Sequence, residues 1–373
     1  MDLKPYFTSN VELSFFNTEK DNQDIVNFMD LTPMRISGIE LLYDRRPSFQ
    51  KLLRCQSSTY MTIIAWLNKK TAGLFSLSSQ KKWINGKKVS CGYIGDFRTD
   101  GSKEVAKFWR KNYGELLKVI SSDIELGRPQ YYLTAILKKN IDAVRSLATP
   151  KKNFGFYYEL LEEVDMVNIY GKLPWYKAAK LNVIKATNED LTALKKFLNT
   201  CEKRKLFGSI FDESEDDCWQ DRLKNWDGFS LENFLLVKNS SGQILACTLP
   251  WNPGFAKRML VRKAPTLIRK TFAFLRWLGM NMPDVGETLE TIYLTHLNIH
   301  DSLDSAEVVK AFTDQVFKEF KMVHMVSFPD NRKFSIGVNG WVKQRFSVLL
   351  FSVSTDGKKV NDGSPVSFEM GLV

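Results

Sequence analysis

A mixed α/β fold built as two tandem copies of one unit is the architecture this sequence predicts, and three observations carry it. The chain has 373 residues, more than one hydrophobic core usually organises, so about two domains are expected. Hydrophobic residues make up 44% and charged residues 25%, a composition that excludes a mainly disordered chain. The order of strand-like and helix-like segments in the first half recurs in the second, a repeat of elements and not of residues. The connection Gly171-Lys-Leu-Pro-Trp175 divides the units, one over 1–172 and the other over 173–373.

In the first unit, 10–17 alternates as a strand, 21–30 reads as a polar helix and 39–55 as a second helical region. Strands at 61–67 and 71–83 are joined by Asn68-Lys69-Lys70, and 88–98 is a further strand carrying Val89, Cys91, Tyr93 and Ile94. The strongest helix covers 103–120, with Val105, Phe108, Trp109, Leu116, Leu117 and Ile120 on one face and Ser102 as its N-cap. A buried strand at 131–137, a short helix at 140–147 and a long strand at 156–170 complete the unit. The second unit opens with a strand at 181–186. Thr187-Asn-Glu-Asp190 then reads as a capping box, starting a helix with Leu191, Leu194, Phe197 and Leu198 on one face. There follow a helical region around 219–223, a hairpin of 234–238 with 243–249, and a strand at 289–297. A helix at 305–320, a strand at 323–328, a short helical piece at 331–337 and a last strand at 345–353 repeat the order of the first unit.

Several function classes are excluded or weakened by composition. The longest apolar runs, such as 346–353, fall far short of the roughly 20 residues a membrane helix needs. The first residues lack the basic and then apolar stretches of a signal peptide, so a soluble cytoplasmic protein is expected. Five scattered cysteines without a Cys-x-x-Cys pair fit a reducing compartment. His296 and His300 fall on strand running into loop, where they stand roughly 13 Å apart, too far to share one metal ion. The net charge of +11 divides as +7 over 1–172 and +4 over the rest, so no single basic tail carries it. Segment 255–282 does concentrate seven cations, Lys257, Arg258, Arg262, Lys263, Arg269, Lys270 and Arg276, with no carboxylate. It reads as a partly amphipathic helix covering a sheet with its basic face in water, or as a surface for an anion, RNA or a membrane.

The run Tyr93-Ile-Gly-Asp-Phe-Arg98-Thr-Asp-Gly101-Ser-Lys103 has the form of a strand entering an anion-binding loop at a helix start, where backbone N–H groups point outward and glycine permits close approach. Together with Tyr132-Leu-Thr-Ala-Ile-Leu-Lys-Lys-Asn140-Ile-Asp-Ala143 and Ile184-Lys-Ala-Thr-Asn-Glu-Asp190-Leu, this element order resembles the GNAT superfamily of acyl-CoA-dependent N-acyltransferases in a tandem form. The resemblance implies, for each unit, a mostly antiparallel mixed sheet with a V-shaped splay, flanked by helices. It implies an acyl-CoA co-substrate, acetyl-CoA or another, bound in the first unit by Phe97, Arg98, Thr99, Gly101, Ser102, Lys103 and Asn140, with no metal. Lys103 departs from the Gly or Ala of the family pattern. The matching loop of the second unit, His300 to Glu307, has no glycine and carries Asp301, Asp304 and Glu307, which repel a diphosphate. That unit is expected to shape substrate or structure only.

Direct attack of an amine on a thioester needs a base, and Asp96, late in its strand, is the candidate; an ion pair with a nearby cation is its other reading. The family's acid is a Tyr on the helix after the fifth strand. Neither 140–147 nor 331–337 contains one, so Tyr157 or Tyr158 on the last strand is the substitute, with a core or rim tyrosine as the other reading. Asn140 caps its own helix, binds cofactor, or does both. Three functions follow in order: an N-acetyltransferase acting on a small-molecule or peptide amine; a tandem-fold binding protein without turnover; and a transferase using aminoacyl-tRNA, as Fem-type ligases also pair two such units, with nucleic acid the less favoured partner.

Overall fold

A computed structural model describes residues 2–8, 10–36, 38–148, 155–331 and 340–373. The first half runs β1 (Val11–Phe15), α1 (Glu19–Leu31), β2 (Met34–Ile36), β3 (Ile39–Asp44), α2 (Gln50–Gln56), β4 (Thr59–Leu67), β5 (Lys70–Ile84), β6 (Lys87–Thr99), α3 (Lys103–Ser122), β7 (Tyr131–Leu137), α4 (Ile141–Ala143) and β8 (Tyr157–Lys172). The second runs β9 (Ile184–Lys185), α5 (Leu191–Glu202), α6 (Cys218–Asn225), β10 (Leu235–Lys238), β11 (Ile244–Trp251), β12 (Arg258–Lys263), α7 (Thr266–Trp277), β13 (Thr291–Ile299), α8 (Ser305–Glu319), β14 (Met325–Asn331) and β15 (Trp341–Ser354).

Twelve strands form one sheet in the order β1-β4-β5-β6-β7-β15-β8-β14-β13-β11-β10-β9. Among the described residues, only β6/β7 and β13/β14 are parallel pairs of this sheet; the rest are antiparallel. The middle of this order is an exchange. The last strand of the second half, β15, lies between β7 and β8, while β8 lies between β15 and β14. Each half therefore leans on the other's final strand, and the two halves share one continuous hydrogen-bonded layer.

Local chemistry explains the elements. Thr18 and Asp21 form a reciprocal cap on α1, each side chain bonding the other's backbone N–H. Ser102 caps α3, whose buried Val105, Phe108, Trp109, Leu116, Leu117 and Ile120 pack over the first half of the sheet. Full burial of each such side chain is worth about 1.5–3 kcal/mol relative to exposure. Val308, Val309, Phe312 and Val316 of α8 do the same over the second half. Asn68 and Lys69, both at positive φ, make the tight turn between β4 and β5.

Two expectations change. Residues 39–55 are not one helical region: Ile39–Asp44 is a strand and only Gln50–Gln56 is helical. The strand's partner is β12, far away in the chain, and β12-β3-β2 make a small second sheet in which Arg258 and Arg262 pair with Asp44 and Glu40. Segment 255–282 accordingly supplies a strand and then α7, and α7 has no buried residue. The helical piece expected at 331–337 lies outside the described residues apart from Asn331, which ends β14.

Candidate functional site

The site begins where β6 and β7 part. They pair at Cys91–Tyr131, Gly92–Tyr132 and Tyr93–Leu133 and then diverge. Gly92 sets how closely they approach, since a Cβ there would lie 2.4 Å from the Tyr132 ring. Thr134 donates its hydroxyl to the Ile94 carbonyl (2.9 Å), closing the apex. Beyond it the facing edges form a fork. On its outer side, β6 slips against β5: Gly95 faces Ser76 and Arg98 faces Leu74, so Asp96 and Phe97 together oppose Phe75. This is a bulge, with Asp96 at φ +52°, a conformation Asp tolerates better than most residues. Phe97 turns its ring onto Phe75, Trp109 and Tyr113 under α3.

A cavity of about 350 Å³ extends from the fork. Its walls include Ile94 to Arg98 on one limb, Thr134 to Leu137 and Asn140 on the other, and Tyr43, Arg45, Met259, Val261, Phe272 and Tyr293 beyond. Most of that lining is apolar. Asp96 accepts a bond from the buried Arg45 guanidinium at 3.3 Å, and Arg45 also donates to the Phe49 carbonyl at 2.9 Å. Behind them the buried Lys257 amine stands 5.5 and 5.4 Å from the rings of Tyr43 and Tyr293 and donates to the Val373 carbonyl. Burial, and then the charge of Arg45, pull the Lys257 amine down to about 7, while Asp96 pulls the other way. Burial raises the phenols of Tyr43, Tyr93 and Tyr293, which keeps them protonated.

The residues expected from sequence are only partly brought together. Asp96, Phe97, Arg98 and Asn140 line the cavity. Arg98 turns away from the loop: it donates to the Thr32 carbonyl at 2.7 Å and stands 5.9 Å from the Tyr43 ring. Thr99 ends β6, paired with Gly73. Gly101 takes φ +83° in the turn, and Lys103 is exposed at the start of α3. The Asp100 carboxylate takes the Ser102 N–H (2.8 Å), and Ser102 caps Val105. Among the described residues no bond is made to the N–H groups of Lys103 and Glu104, which remain at the helix start for an anion. Asn140 caps α4 through the Ala143 N–H at 3.2 Å. Tyr157 stands elsewhere, 58% exposed at the first residue of β8 and paired with Ser354. Sequence reasoning missed Tyr43, Arg45, Lys257 and Tyr293. The aligned spacing of Tyr93-x-x-Asp96 and Tyr293-x-x-His296 is the signal that points to Tyr293.

The fork edges suit an inserted extended arm that carries amide groups, because unpaired strand edges accept an added strand. The loop suits a diphosphate less well, since Asp100 places a negative charge beside it.

The second half repeats the device. β13 and β14 pair from Thr291–Met325 to Tyr293–Ser327 and then part. His296 and Leu297 together oppose Thr248, with His296 at φ +54°. Here the bulge is filled. The His296 N–H donates to the Glu369 carboxylate at 3.1 Å, and the buried ring lies 5.4–5.7 Å from Phe211, Trp226, Phe229 and Phe234. Burial, with Arg222, Lys82 and Lys205 nearby, drives its pKa well below the ordinary imidazole value.

A mixed sheet opened by a parallel fork and bulge, with a helix starting just past the bulge, is a fold this chain shares with solved N-acyltransferase structures, the GNAT superfamily fold. No family model and no curated protein sequence matches it. Solved structures do. N-myristoyltransferase of Saccharomyces cerevisiae with bound myristoyl-CoA superposes with TM-score 0.54 at 10% identity, over 98% of this chain and 90% of that one. The same enzyme with myristoyl-CoA and inhibitors gives 0.56 at 11%, covering 98% and 87%. A GCN5-related N-acetyltransferase from Sphaerobacter thermophilus gives 0.56 at 12%, covering 96% and 99%.

Proposed function

We propose that this chain is an acyl-CoA-dependent N-acyltransferase acting on a primary amine of a small molecule or peptide, with its reaction centre at the fork of the first half. The observation that carries the reading is the bulge at Asp96 opening into the cavity beside β7. The similar structures support the same class of chemistry, two having been determined with myristoyl-CoA bound.

In this reading the thioester carbonyl lies at the bulge, where backbone N–H groups polarise it. The amine attacks, the carbon–nitrogen bond forms and the carbon–sulfur bond breaks. Asp96 accepts the proton from nitrogen, with Arg45 holding its carboxylate in place. The thiolate takes a proton from a buried phenol, Tyr43 or Tyr93, both close enough to Asp96 to feel its charge, and the proton gained by Asp96 passes back to that phenolate, restoring both groups. Acetyl is the simplest acyl group for the pocket. The walls formed by Met34, Ile39, Leu41, Met259, Val261 and Phe272 favour longer chains as well.

The test is thiol release from acetyl-CoA and from longer acyl-CoAs in the presence of amines, alongside calorimetric titration of each donor. Release that requires amine is expected, and failure of every donor to bind would overturn the reading. One observation favours a second reading, a binding protein without turnover: Arg98 turns from the loop to the Thr32 carbonyl, and Asp100 is engaged there by the Ser102 N–H. Tight acyl-CoA binding with no thiol release for any amine would select it.

A further inference from the structure

A second, smaller chamber of about 70 Å³ adjoins the cavity and shares Gln56, Tyr93, Phe368, Leu372 and Val373 with it as walls. One water needs roughly 10–15 Å³, so the chamber has room for a small polar group. Two cations line it. The Arg222 guanidinium is buried to 5% exposure, and its Nη1 has no hydrogen-bond partner. Lys82 reaches in from β5. Both converge on one hydroxyl: Ser209 Oγ accepts from Arg222 Nη2 at 2.9 Å and from Lys82 Nζ at 3.0 Å.

Two like charges meeting at one neutral oxygen in a buried space are costly unless an anion joins them. The carboxylates around them, Glu202 and Glu369, act on these charges through space but accept their hydrogen bonds from other groups. Glu202 bonds Lys205 (2.7 Å), the Ser209 N–H (3.0 Å) and Ser367 (2.6 Å). Glu369, also on the chamber wall, accepts the His296 N–H, and burial raises its pKa. Asp221 bonds Asn225 at 2.9 Å. Among the described residues neither Lys82 nor Arg222 has a carboxylate within ion-pair distance. Phe211 and Trp226 each lie 5.0 Å from the Arg222 guanidinium, which restrains it and leaves Nη1 as its free donor.

We propose that this chamber receives the oxyanion of the acceptor, a carboxylate or phosphate carried by the same molecule as the reacting amine. The acceptor then spans the shared wall, with its amine toward Asp96 and its anion on Arg222 Nη1, Lys82 and Ser209. This rests on the transferase reading above.

Three measurements on the full chain keep the two readings apart. Acyl-CoA titration tests the transferase reading alone. Thermal shift with sodium acetate and sodium phosphate, against chloride at equal ionic strength, tests the chamber alone; a rise in melting temperature with one or both is expected, and Lys82→Met and Arg222→Met should reduce it. Transfer to ethylamine, β-alanine and 2-aminoethylphosphonate tests the connection. At least tenfold higher kcat/KM for an anionic amine is expected, as suits a charge-assisted bond, and the better of the two identifies carboxylate or phosphate. Lys82→Met should erase that preference while acyl-CoA affinity stays within about twofold. No anion-dependent shift, equal rates for ethylamine, which carries no anion, or a preference that survives Lys82→Met would each overturn the proposal, whatever the acyl-CoA titration gives.

A different observation carries a second inference. Helix α7 buries no residue, and Leu267, Phe274 and Trp277 are 75%, 55% and 78% exposed. At 100° per residue these three share one face with Lys270. The Phe274 and Trp277 rings stack 5.9 Å apart, and no carboxylate occurs from 255 to 282. The geometry points to an anionic lipid surface as the partner of this face, with aromatic rings entering the interface and the exposed Lys263, Arg269 and Lys270 meeting headgroups, while Arg276 pairs with Asp284. Flotation with vesicles of phosphatidylserine and phosphatidylcholine should carry the protein up at low salt. Pure phosphatidylcholine, high salt, or Phe274→Ala with Trp277→Ala should leave it behind. No flotation, flotation unchanged by that double variant, or the same variant abolishing self-association or RNA binding instead would overturn this inference.

Discussion

Asp96 and His296 stand at the same place in two copies of one bulge, 200 residues apart, at φ +52° and +54°. Each follows a tyrosine three residues earlier that makes the last pair of a parallel fork. The backbone device is therefore the same, and the occupants differ. In the first half the bulge faces a cavity and carries a carboxylate held by Arg45. In the second, the Glu369 carboxylate occupies the bulge N–H and aromatic rings enclose the side chain. Among the described residues, the first fork stays open to a cavity and the second is filled by the chain itself. The second copy has turned the same geometry into core.

The largest expected difference between the halves is catalytic. Asp96→Asn keeps the shape and removes the base, so kcat/KM should fall by about 10²–10⁴ with acyl-CoA affinity nearly unchanged. A loss of less than threefold would remove Asp96 from the mechanism. His296→Ala should behave oppositely. Emptying a packed site costs about 2–4 kcal/mol, measurable by urea unfolding, while the folded fraction retains its activity within about threefold.

Lys257 separates the halves by pH. With its amine at about 7 in the folded chain against 10.5 unfolded, the unfolded chain binds the extra proton between those values. Stability should therefore rise as pH goes from 7 to 10.5, with the full penalty present below 7. Lys257→Met should be more stable than the parent by about 2–4 kcal/mol at pH 6 to 7, and the gain should shrink toward pH 10. A gain independent of pH would contradict the assignment. The smallest effect belongs to Glu369→Gln, which keeps an oxygen for the His296 N–H. It should cost at most about 1 kcal/mol and leave acyl-CoA binding untouched; altered acyl-CoA affinity would show that the second bulge is not closed.

Much of this was legible in the sequence. Strand 131–137 and the helix from Lys103 emerged at their bounds because each is locally amphipathic or apolar with its own cap. Asp96 stands out in the sequence as the single carboxylate late in its strand, and it lines the cavity. What stayed hidden depends on distant partners. Residues 39–44 look helical until β12 is placed beside them, and that misreading concealed Tyr43 and Arg45. Lys257 appears in the sequence only as one cation of segment 255–282, since its burial arises only when segment 255–263 folds back onto the first half. The exchange of β8 and β15 was equally invisible, because either strand pattern satisfies either neighbour. Tyr157 was chosen for its residue type, and its register opposite Ser354 carries it to the rim.

The central claim is that one fork of two is open. Calorimetric titration of acyl-CoA into the wild-type chain and into Ala135→Trp, which fills the cavity wall of the first fork, tests it most directly. One site per chain is expected for the wild type, with at least tenfold weaker binding in Ala135→Trp at a melting temperature within a few degrees. Two sites per chain, or a single site unaffected by Ala135→Trp, would contradict it.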